Sequence, residues 1–530
     1  MKTLFVLFGL ALSCFPLMGQ EYELYWQNSF GGSAGDAAMS IIETPDGHFI
    51  AAGHSSSGIS GLKTVPNYGN SDYWVIKFAS DGTILWQRGF GGDTSDSVRT
   101  VLNAPDGGYL VAGTSLSGVS GNKTVPNYYS LYDFWFVKVD ADGNEQWQKV
   151  IGANNSDHLR DIVVSSDGGY IMGGTSDSSG SFDKNEPNIG GWDYWVLKLN
   201  ADLEIQWQNT IGGTSNDWLE SLYELADGGV ILGGTSISNS SADKSEESIG
   251  GVGSRDYWIV RLDDTGAVVW DRTLGGLDWD GRARVLELPD GRIVVAGTSR
   301  SNSYGHKSED SLGSMDVWAL LLDTDGTILW ENTIGGDQAE EVKDIKLTPE
   351  GDIMVATTSS SAASADKSEP SVGGSDFWLF LIDTDGNVLW DDTIGGYFND
   401  GATEIKIDGY GNLLVSGASS SAAGGDHEGP NYGEADFWIL KMDNVLNTFE
   451  ADGTLLEVYP NPSSGLLNIQ TNQMILEVKL YDQLGRTVNQ LSDLQASKSL
   501  DLSNLASGVY HLKIVTESGT VVKRVIMQTR

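Results

Sequence analysis

Seven acidic residues recur at one fixed place in this sequence, four residues after the second member of a Gly-Gly pair, or of Gly-Ala in the third copy. A ring of carboxylates of this kind could hold a cation. An acid that stands in every copy is better explained as a cap that accepts backbone N–H bonds in a turn. We therefore expect structural caps, with a cation site as the alternative, at Asp36, Asp96, Asp157, Asp217, Asp280, Glu340 and Asp400.

Aromatic residues offer a second kind of chemistry, because rings on loops can stack on sugars or anchor a protein partner. Most of the 17 Trp stand at two regularly repeated positions, and three do not. We take those three, with two aromatics near the end of the repeat region, as candidate binding residues. The alternative is that the rings fill gaps between long loops. The five residues are Trp192, Trp218, Trp279, Tyr397 and Phe398.

No catalytic constellation is evident in the sequence. The six His include no zinc-spaced pair, and neither a G-x-S-x-G elbow nor a phosphate-binding loop occurs. A glycosidase needs only two carboxylates, so a pair among the 73 Asp and Glu stays open. We predict no catalytic residue, no cofactor and no dedicated metal site. Loops of the "DKSE" kind carry lysines that we interpret as structural, Lys184, Lys244, Lys307 and Lys367.

The sequence contains a repeat, and the strands of this repeat must position these residues. One Trp of each copy recurs with a spacing of about 60 residues, which is typical of repeat architectures. Each period contains four short runs of alternating apolar and polar residues, with Asp-Gly at the hairpin turns. Four strands per period predict the blade of a β-propeller, an all-β fold. The recurring residues are Trp74, Trp135, Trp195, Trp258, Trp318, Trp378 and Trp438.

The two ends of the repeat region are complementary. The seventh copy, from Asp436, lacks its fourth strand, and a spare fourth strand stands before the first copy, from Tyr22. We predict that residues 23–30 pair with residues 437–442, which closes a ring of seven blades and removes the exposed sheet edges. Trp26 then lies in the seventh sheet. We expect a monomer.

The repeat resembles two known families of propeller. "LDDTGAVVW", residues 262–270, resembles the tryptophan-docking repeat of quinoprotein propellers, in which the ring wedges between neighbouring blades. That resemblance implies a packing role for the Trp of each fourth strand. The repeat as a whole, over about residues 21–444, is similar to bacterial extracellular propeller repeats of the "DGGYxVaGTS" kind. This similarity implies the architecture alone.

The net charge and the first 19 residues indicate which partners to expect and where the protein is located. The formal net charge is -41, and a surface of this sign repels nucleic acid and anionic lipid, so we expect neither as a partner. Residues 1–19 contain Lys2 and a short apolar run and are typical of a secretory signal peptide. The only cysteine, Cys14, falls inside it. No other segment is long and apolar enough to span a membrane.

The last residues leave the repeat and contain short alternating strands with Gly and Asn turns, which predict a small antiparallel β-sandwich. "YPNPSSGLLNI", "LYDQLGR" and "LDLSNLASGVYHLKI" closely resemble the type A C-terminal sorting domain of the type IX secretion system. This resemblance implies export across both membranes of a Bacteroidetes-type cell and contact with the secretion machinery. It assigns the sorting motif to Tyr459, Pro460, Asn461, Pro462, Gly465, Gly508 and Tyr510.

The predicted organisation is a signal peptide (1–19), a seven-bladed propeller (20–446), a linker (447–454) and a sorting domain (455–530). Two functions fit this organisation. One is a secreted or surface-displayed module that binds a glycan or a protein, and the other is a secreted, glycoside hydrolase-like enzyme. An enzyme should concentrate irregular acids and bases in one group of blades beside the channel. The blades are nearly alike in sequence, which favours the binding module.

Overall fold

The computed structural model describes residues 21–251, 253–408, 411–445, 456–459, 463, 465–471, 474–481, 487–494, 497–503, 505, 508–516 and 519–527. The predicted signal peptide and linker lie outside the described residues. Every regular element in the described part of the chain is a β-strand, so the predicted all-β class is confirmed. No helix within that part is long and apolar enough to cross a membrane.

Twenty-eight strands build the repeat region. The first thirteen are β1 (Glu21–Phe30), β2 (Asp36–Glu43), β3 (Phe49–Ser55), β4 (Asp72–Phe78), β5 (Ile84–Phe90), β6 (Asp96–Asn103), β7 (Tyr109–Ser115), β8 (Asp133–Val139), β9 (Glu145–Ile151), β10 (Asp157–Val164), β11 (Tyr170–Ser176), β12 (Asp193–Leu199) and β13 (Ile205–Ile211). The next fifteen are β14 (Asp217–Glu224), β15 (Val230–Ser236), β16 (Asp256–Leu262), β17 (Val268–Leu274), β18 (Asp280–Glu287), β19 (Ile293–Ser299), β20 (Asp316–Leu322), β21 (Ile328–Ile334), β22 (Glu340–Leu347), β23 (Ile353–Ser359), β24 (Asp376–Ile382), β25 (Val388–Ile394), β26 (Asp400–Ile407), β27 (Leu413–Ser419) and β28 (Asp436–Val445).

The strands form seven four-stranded antiparallel blades. Blades 1 to 6 follow chain order, β2–β5, β6–β9, β10–β13, β14–β17, β18–β21 and β22–β25. First strands of neighbouring blades contact one another around the ring, and β2 contacts β26, so the first strands line a central channel. Third strands such as β4 are buried along their whole length, because neighbouring blades cover both of their faces. Fourth strands such as β5 form the partly exposed rim.

The seventh blade has the order β1-β28-β27-β26, so the first strand of the chain completes the last sheet. The predicted closure, with Trp26 in the seventh sheet, is confirmed. Side chains reinforce it: the Gln27 amide donates to the Asp426 carbonyl at 2.7 Å, and the Trp438 indole N–H donates to Gln27 Oε1 at 3.0 Å. Pairing β1 with β28 covers the edge that this third strand would otherwise expose.

The two repeated Trp hold neighbouring blades together in different ways. The Trp of every third strand is fully buried, and Trp74, for example, packs on Phe437 of the preceding blade with ring centroids 4.8 Å apart. The Trp of the fourth strand reaches the next blade: the Trp86 indole N–H donates to the Ala141 carbonyl at 3.2 Å. Its ring covers the turn at Gly143, which has φ +77°, and a Cβ there would lie 2.8 Å from the ring. Glycine meets both demands at this turn, whereas blade 3 holds Leu203 at the same position with φ +57°.

The C-terminal part of the chain has a core of its own. Its strands are β29 (Leu456–Tyr459), β30 (Leu466–Thr471), β31 (Ile475–Tyr481), β32 (Thr487–Leu494), β33 (Ser497–Asp501), β34 (Gly508–Thr516) and β35 (Gly519–Met527). They form two sheets, of order β29-β30-β33 and β32-β31-β34-β35. Both sheets contribute to one hydrophobic cluster, with Ile469 from the first and Leu512 from the second.

Candidate functional site

The loops that enter each first strand and those that enter each third strand meet at one end of the channel, which we call the loop face. Asp36, the first residue of β2, donates its N–H to the Ala435 carbonyl just before β28, at 2.7 Å. The same bond recurs around the ring, as from Asp217 to Trp192 at 2.6 Å and from Asp280 to Arg255 at 2.8 Å. Residues at the starts of these strands therefore surround the channel mouth.

The seven acids of the first strands hold their own loops. In blade 2, Asp96 Oδ2 accepts the Gly92 N–H at 2.8 Å and the Ser117 hydroxyl at 2.9 Å. In blade 6, Glu340 accepts the corresponding bonds from Gly336 at 2.9 Å and Ser361 at 2.5 Å. All seven acids are buried. Among the described residues, no group of three or more His, Cys, Asp or Glu is placed to hold a metal ion.

A second set of seven buried acids begins the third strands. Asp193 Oδ2 accepts the N–H groups of Ile189 at 2.6 Å and Gly190 at 3.3 Å, whereas its Oδ1 has no hydrogen-bond partner. Burial raises the pKa of Asp193 to about 6 and that of Asp133 to about 7, and a nearby first-strand acid adds to each shift. The set is Asp72, Asp133, Asp193, Asp256, Asp316, Asp376 and Asp436.

The loop lysines are buried in the loops between second and third strands. Lys184 Nζ donates to the Ser178 carbonyl at 2.9 Å, and Lys367 Nζ donates to Thr393 Oγ1 at 2.5 Å. Lys244 and Lys307 are buried in the same way. In blade 7 the position is taken by His427, whose Nε2 lies 3.1 Å from Ser29 Oγ. These contacts tie each loop to the blade beneath it.

Aromatic residues of blades 2 to 5 form a connected series at the channel mouth. The rings of Tyr132 and His158 lie 4.6 Å apart, and those of His158 and Trp192 lie 5.4 Å apart. Trp192 donates its N–H to Asn216 Oδ1 at 3.0 Å, two residues before Trp218. Burial, with a smaller effect of nearby Arg160, lowers the pKa of His158 to about 4, so this ring is neutral at physiological pH.

Two arginines continue the series. The guanidinium of Arg255 lies over the Trp218 ring at 5.1 Å, and that of Arg300 lies over the Trp279 ring at 5.6 Å, which are cation–π distances. The aromatic rings are partly exposed and both arginines are exposed. We call this set the aromatic crescent: Tyr132, His158, Trp192, Trp218, Arg255, Trp279 and Arg300.

The crescent covers only part of the mouth. The same positions in blades 6, 7 and 1 hold no aromatic ring and no arginine: they are Glu341 and the small residues Ser375, Gly401, Ala435, Ala37 and Ser71. The structure thus brings Trp192, Trp218 and Trp279 to one side of the mouth. Tyr397 and Phe398 lie elsewhere, in the loop before β26, where they are 65% and 62% exposed. Blade 6 separates them from the crescent in the ring order.

Below the mouth, each first strand has a bulge, and in all blades except the first the bulge holds a charged residue. The burial alternation of β22 breaks where the pairing register shifts between Val342 and Asp344, so that Lys343 and Asp344 are both partly exposed there. Corresponding residues line a cavity of about 200 Å³. Its charged side chains include Arg99, Asp161, Arg284, Lys343, Asp344 and Glu404.

Blade 5 departs from the others at Arg282, which stands where the other first strands carry a buried apolar residue. Arg282 has φ +62°, a left-handed conformation that is rare for a residue with a side chain. This backbone places Ala283 in the buried position and leaves Arg282 exposed. Its guanidinium is ion-paired with Glu341, which also bonds Lys343 Nζ at 2.6 Å. A locally strained backbone thus presents a cation at the mouth.

Sequence reasoning missed the channel residues and four members of the crescent, Tyr132, His158, Arg255 and Arg300. A usable signal was present in the position directly after each first-strand acid. There the copies read Ala37, Ser97, His158, Trp218, Gly281, Glu341 and Gly401, so the blades differ most at the mouth. The channel positions were harder to find, because a bulge breaks the alternation from which strand faces are read.

The described part of the sorting motif lies in the C-terminal sheets. Tyr459 ends β29, Gly508 begins β34, and Tyr510 is 8% exposed in the core of this part. Gly465 is buried with φ +136°, and a Cβ there would lie 3.2 Å from Ser503 Cβ. Pro460, Asn461 and Pro462 lie outside the described residues.

Comparisons with known proteins show similarity at low sequence identity. Over 312 residues it is 25% identical to the regulatory protein FlaEY of Caulobacter vibrioides, a match that covers 53% of this chain and 32% of the relative. The chain thus spans about a third of that relative's length. Among solved structures, PorZ, a surface component of the type IX secretion system of Porphyromonas gingivalis, is 13% identical, with a TM-score of 0.39. That match covers 94% of this chain and 60% of PorZ.

Two further solved structures are similar at this low level. Hydrazine synthase of Kuenenia stuttgartiensis is 15% identical, with a TM-score of 0.35, over 60% of this chain and 75% of that one. A puromycin hydrolase is 12% identical, with a TM-score of 0.44, over 82% of this chain and 58% of that one.

A protein-family match gives a specific assignment for the C-terminal part. Residues 457–528 match the secretion system C-terminal sorting domain, the family to which "YPNPSSGLLNI" and the segments after it point. The sorting domain directs its carrier to the type IX secretion machinery. The chain is therefore a seven-bladed β-propeller protein with a type IX secretion system C-terminal sorting domain, secreted to the cell surface or the extracellular space.

Proposed function

We propose that the secreted propeller is a non-catalytic binding module for glycans and that the aromatic crescent is its binding surface. The observation that carries this proposal is the asymmetry of the channel mouth. Seven blades share nearly all of their structural residues, yet large aromatic and arginine side chains are confined to blades 2 to 5. Packing needs that all blades share do not explain a feature of only four of them.

The chemistry of the crescent supports sugar binding. Trp192, Trp218 and Trp279 present partly exposed rings that can stack on the apolar faces of sugars, while their other sides are packed. Arg255 and Arg300, which lie over two of these rings, add donors beside the stacking surface. Strand starts fixed by the recurring backbone bonds hold the rings in place, so little side-chain freedom is lost on binding.

A secreted glycosidase is the second candidate, because the channel does concentrate irregular acids and bases. A glycosidase needs a carboxyl group with a raised pKa to act as the acid. Asp344 shows the opposite, since Lys346 Nζ at 2.6 Å and the nearby Arg284 hold its pKa below the usual range. Glu404 is ion-paired with Lys406 at 2.9 Å. Most of the carboxyls whose pKa is raised to about 6 or 7 are buried first- and third-strand acids that accept loop N–H bonds, such as Asp157 and Asp193, which supports binding rather than hydrolysis.

The proposal extends to the chain's organisation. We propose that residues 1–19 are a signal peptide for export across the inner membrane, that residues 20–446 form the binding module, and that residues 447–454 connect it to a sorting domain at 455–530. Compact units of the chain divide near these boundaries, with one unit at Leu24–Asp443 and Asn444–Arg530 in the other. The protein would act as a monomer.

A glycan array probed with the secreted protein tests the proposal. We expect the protein to bind a defined set of glycans, and Trp218→Ala to lose about 1–3 kcal/mol of binding free energy with little change in melting temperature. Trp270→Ala is the matched control, because Trp270 is also half-buried but docks on the next blade through Thr324, at 3.0 Å. That variant should lose stability and keep binding. An array without any bound glycan, or a Trp218→Ala variant that loses only stability, would contradict the proposal.

A further inference from the structure

The channel below the aromatic crescent contains an excess of positive charge inside a strongly acidic protein. The chain has 32 Lys and Arg against 73 Asp and Glu. Even so, the cavity of about 200 Å³ is lined by Arg99, Arg284 and Lys343. A fourth cation, Arg282, is close by, because Glu341 is ion-paired with both Arg282 and Lys343. We call these four residues the cationic cluster.

The two cavity arginines lack the partners that the neighbouring lysines have. Lys346 and Lys406 are ion-paired with Asp344 and Glu404. The guanidinium of Arg99, in contrast, donates to the Arg160 carbonyl, and that of Arg284 donates to the Glu220 carbonyl at 2.6 Å. In the described part of the chain neither arginine forms an ion pair with a carboxylate, and the Nε of Arg284 is buried without a hydrogen-bond partner.

The electrostatics of the cluster show a deficit of negative charge. Burial and the nearby Arg99 hold the pKa of Arg284 below its usual range. Burial, Arg282 and Arg284 lower the pKa of Lys343 to about 8. Cations that lie close together, half-buried and only partly paired, destabilise one another, so a bound anion would stabilise all of them. Since each guanidinium presents planar N–H donors, an oxyanion with two or three oxygens suits this place best.

The position of the cluster connects it to the crescent. Trp218 and Ser221, which lines the cavity, belong to the same strand, β14, three residues apart and therefore about 10 Å along it. Glu341 occupies the same first-strand position as Trp218, directly after the acid, and Arg282 is ion-paired with it. A ligand whose sugar rings stack at the mouth can thus extend one charged substituent into the cavity. A water occupies about 30 Å³, so the cavity accommodates an oxyanion and a few waters.

We propose that the cationic cluster binds the carboxylate or sulfate group of an acidic glycan whose sugar rings rest on the aromatic crescent. This inference rests on the proposed glycan-binding function and narrows its ligand class. Arg99 and Arg284 contact the oxyanion directly, Lys343 neutralises its charge, and Arg282 with Glu341 closes the cavity behind it. The acidic exterior repels anions in general, so stacking at the mouth is needed to bring this group into the channel.

The test uses the full secreted chain on an array that holds neutral, uronate-containing and sulfated glycans, followed by titration of the best binder and of free sodium sulfate. We expect acidic glycans to bind and their neutral counterparts not to bind. Arg284→Met should reduce affinity roughly 10- to 100-fold, the range for a hydrogen bond to a charged group. It should not lower the melting temperature, because it removes a half-buried, poorly paired charge.

Arg88→Met is the matched control, because it removes the same charge from the rim, where Arg88 Nε donates to the Gly143 carbonyl at 2.7 Å. It should leave glycan affinity unchanged. Lys343→Met is a second channel variant, in case Arg284→Met does not fold.

Binding of neutral glycans only, or unchanged affinity in both channel variants, overturns the inference and leaves the proposed function intact. Sulfate that binds as tightly as the best glycan overturns the role of the crescent. Binding of no glycan at all overturns the proposed function.

Discussion

At the residue scale, glycines in the blade turns are needed for two different reasons, a positive φ and the lack of room for a side chain. Gly143 and Gly107 both have a positive φ, +77° and +90°. A Cβ on Gly143 would lie 2.8 Å from the Trp86 ring, whereas a Cβ on Gly107 would meet nothing within 4 Å. The first glycine serves both the turn and the contact between blades, and the second serves the turn alone.

We therefore expect Gly107→Ala to cost about 1–2 kcal/mol of unfolding free energy, the strain of a left-handed residue. Gly143→Ala should cost about 1–3 kcal/mol more, because the Trp86 ring must move and its 3.2 Å bond to the Ala141 carbonyl is disturbed. Denaturant unfolding of both variants measures the difference. Equal losses of unfolding free energy would mean that the Trp86 ring does not restrict which side chain can stand at Gly143.

At the element scale, β1 decides whether the third strand of the seventh blade, β28, becomes an exposed edge. Without it, β28 presents unpaired N–H and C=O groups along a buried, apolar strand, which is a template for aggregation. We expect deletion of residues 22–31 to produce soluble aggregates instead of a monomer, as seen by size-exclusion chromatography with light scattering.

A synthetic peptide of residues 21–31 provides the matched test of mechanism, because it offers the missing strand in trans. It should bind the deleted protein and restore the monomer, while a peptide of the same composition in scrambled order should not. A deletion variant that stays monomeric and keeps its melting temperature would show that the closure by β1 is dispensable.

The elements also show what the sequence does and does not reveal. The period of the Trp residues and the split seventh copy predict the blades, their number and the closure, because strand order in a ring follows directly from chain order. The sequence indicates Trp218 and Trp279 because they fall outside the repeat. It does not reveal Arg284 or Lys343 as neighbours, because their positions depend on bulges and on contacts between strands about 60 residues apart. Arg282 depends on a backbone conformation that no composition rule predicts.

At the scale of the whole molecule, the buried carboxyls make stability depend on pH. Among the described residues, eight Asp have pKa values raised from 3.8 to about 6 or 7. Seven of them are first- or third-strand acids, among them Asp72, Asp133 and Asp376. At a pH between the unfolded pKa of 3.8 and the folded pKa of about 6 or 7, the folded protein binds more protons than the unfolded chain. Their contribution to stability is therefore complete below about pH 4 and is lost as the pH rises through 6 to 7. Four His, with lowered pKa values, act in the opposite direction below pH 6.5 and are outnumbered.

We expect the melting temperature to be higher at pH 5 than at pH 7.5, as measured by scanning calorimetry. Asp193→Asn should flatten this dependence, since asparagine still accepts the bonds from Ile189 and Gly190 but cannot titrate. Asp202→Asn, a change at an exposed turn, should leave the dependence as it is. A melting temperature that rises steadily from pH 5 to 7.5 would disprove the role of the buried carboxyls.

The pairing of β1 with β28 also fixes when the protein can finish folding. Gln27 is among the first residues of the propeller to be synthesised, and its partner Trp438 lies 411 positions later. At ordinary rates of translation, about 5–20 residues per second, the first strand waits on the order of 20 to 80 seconds for its partner. During that time any blades that form belong to an open array, without the closing contact. Ring closure is therefore one of the last steps of propeller folding, because it cannot occur before Trp438 has been synthesised.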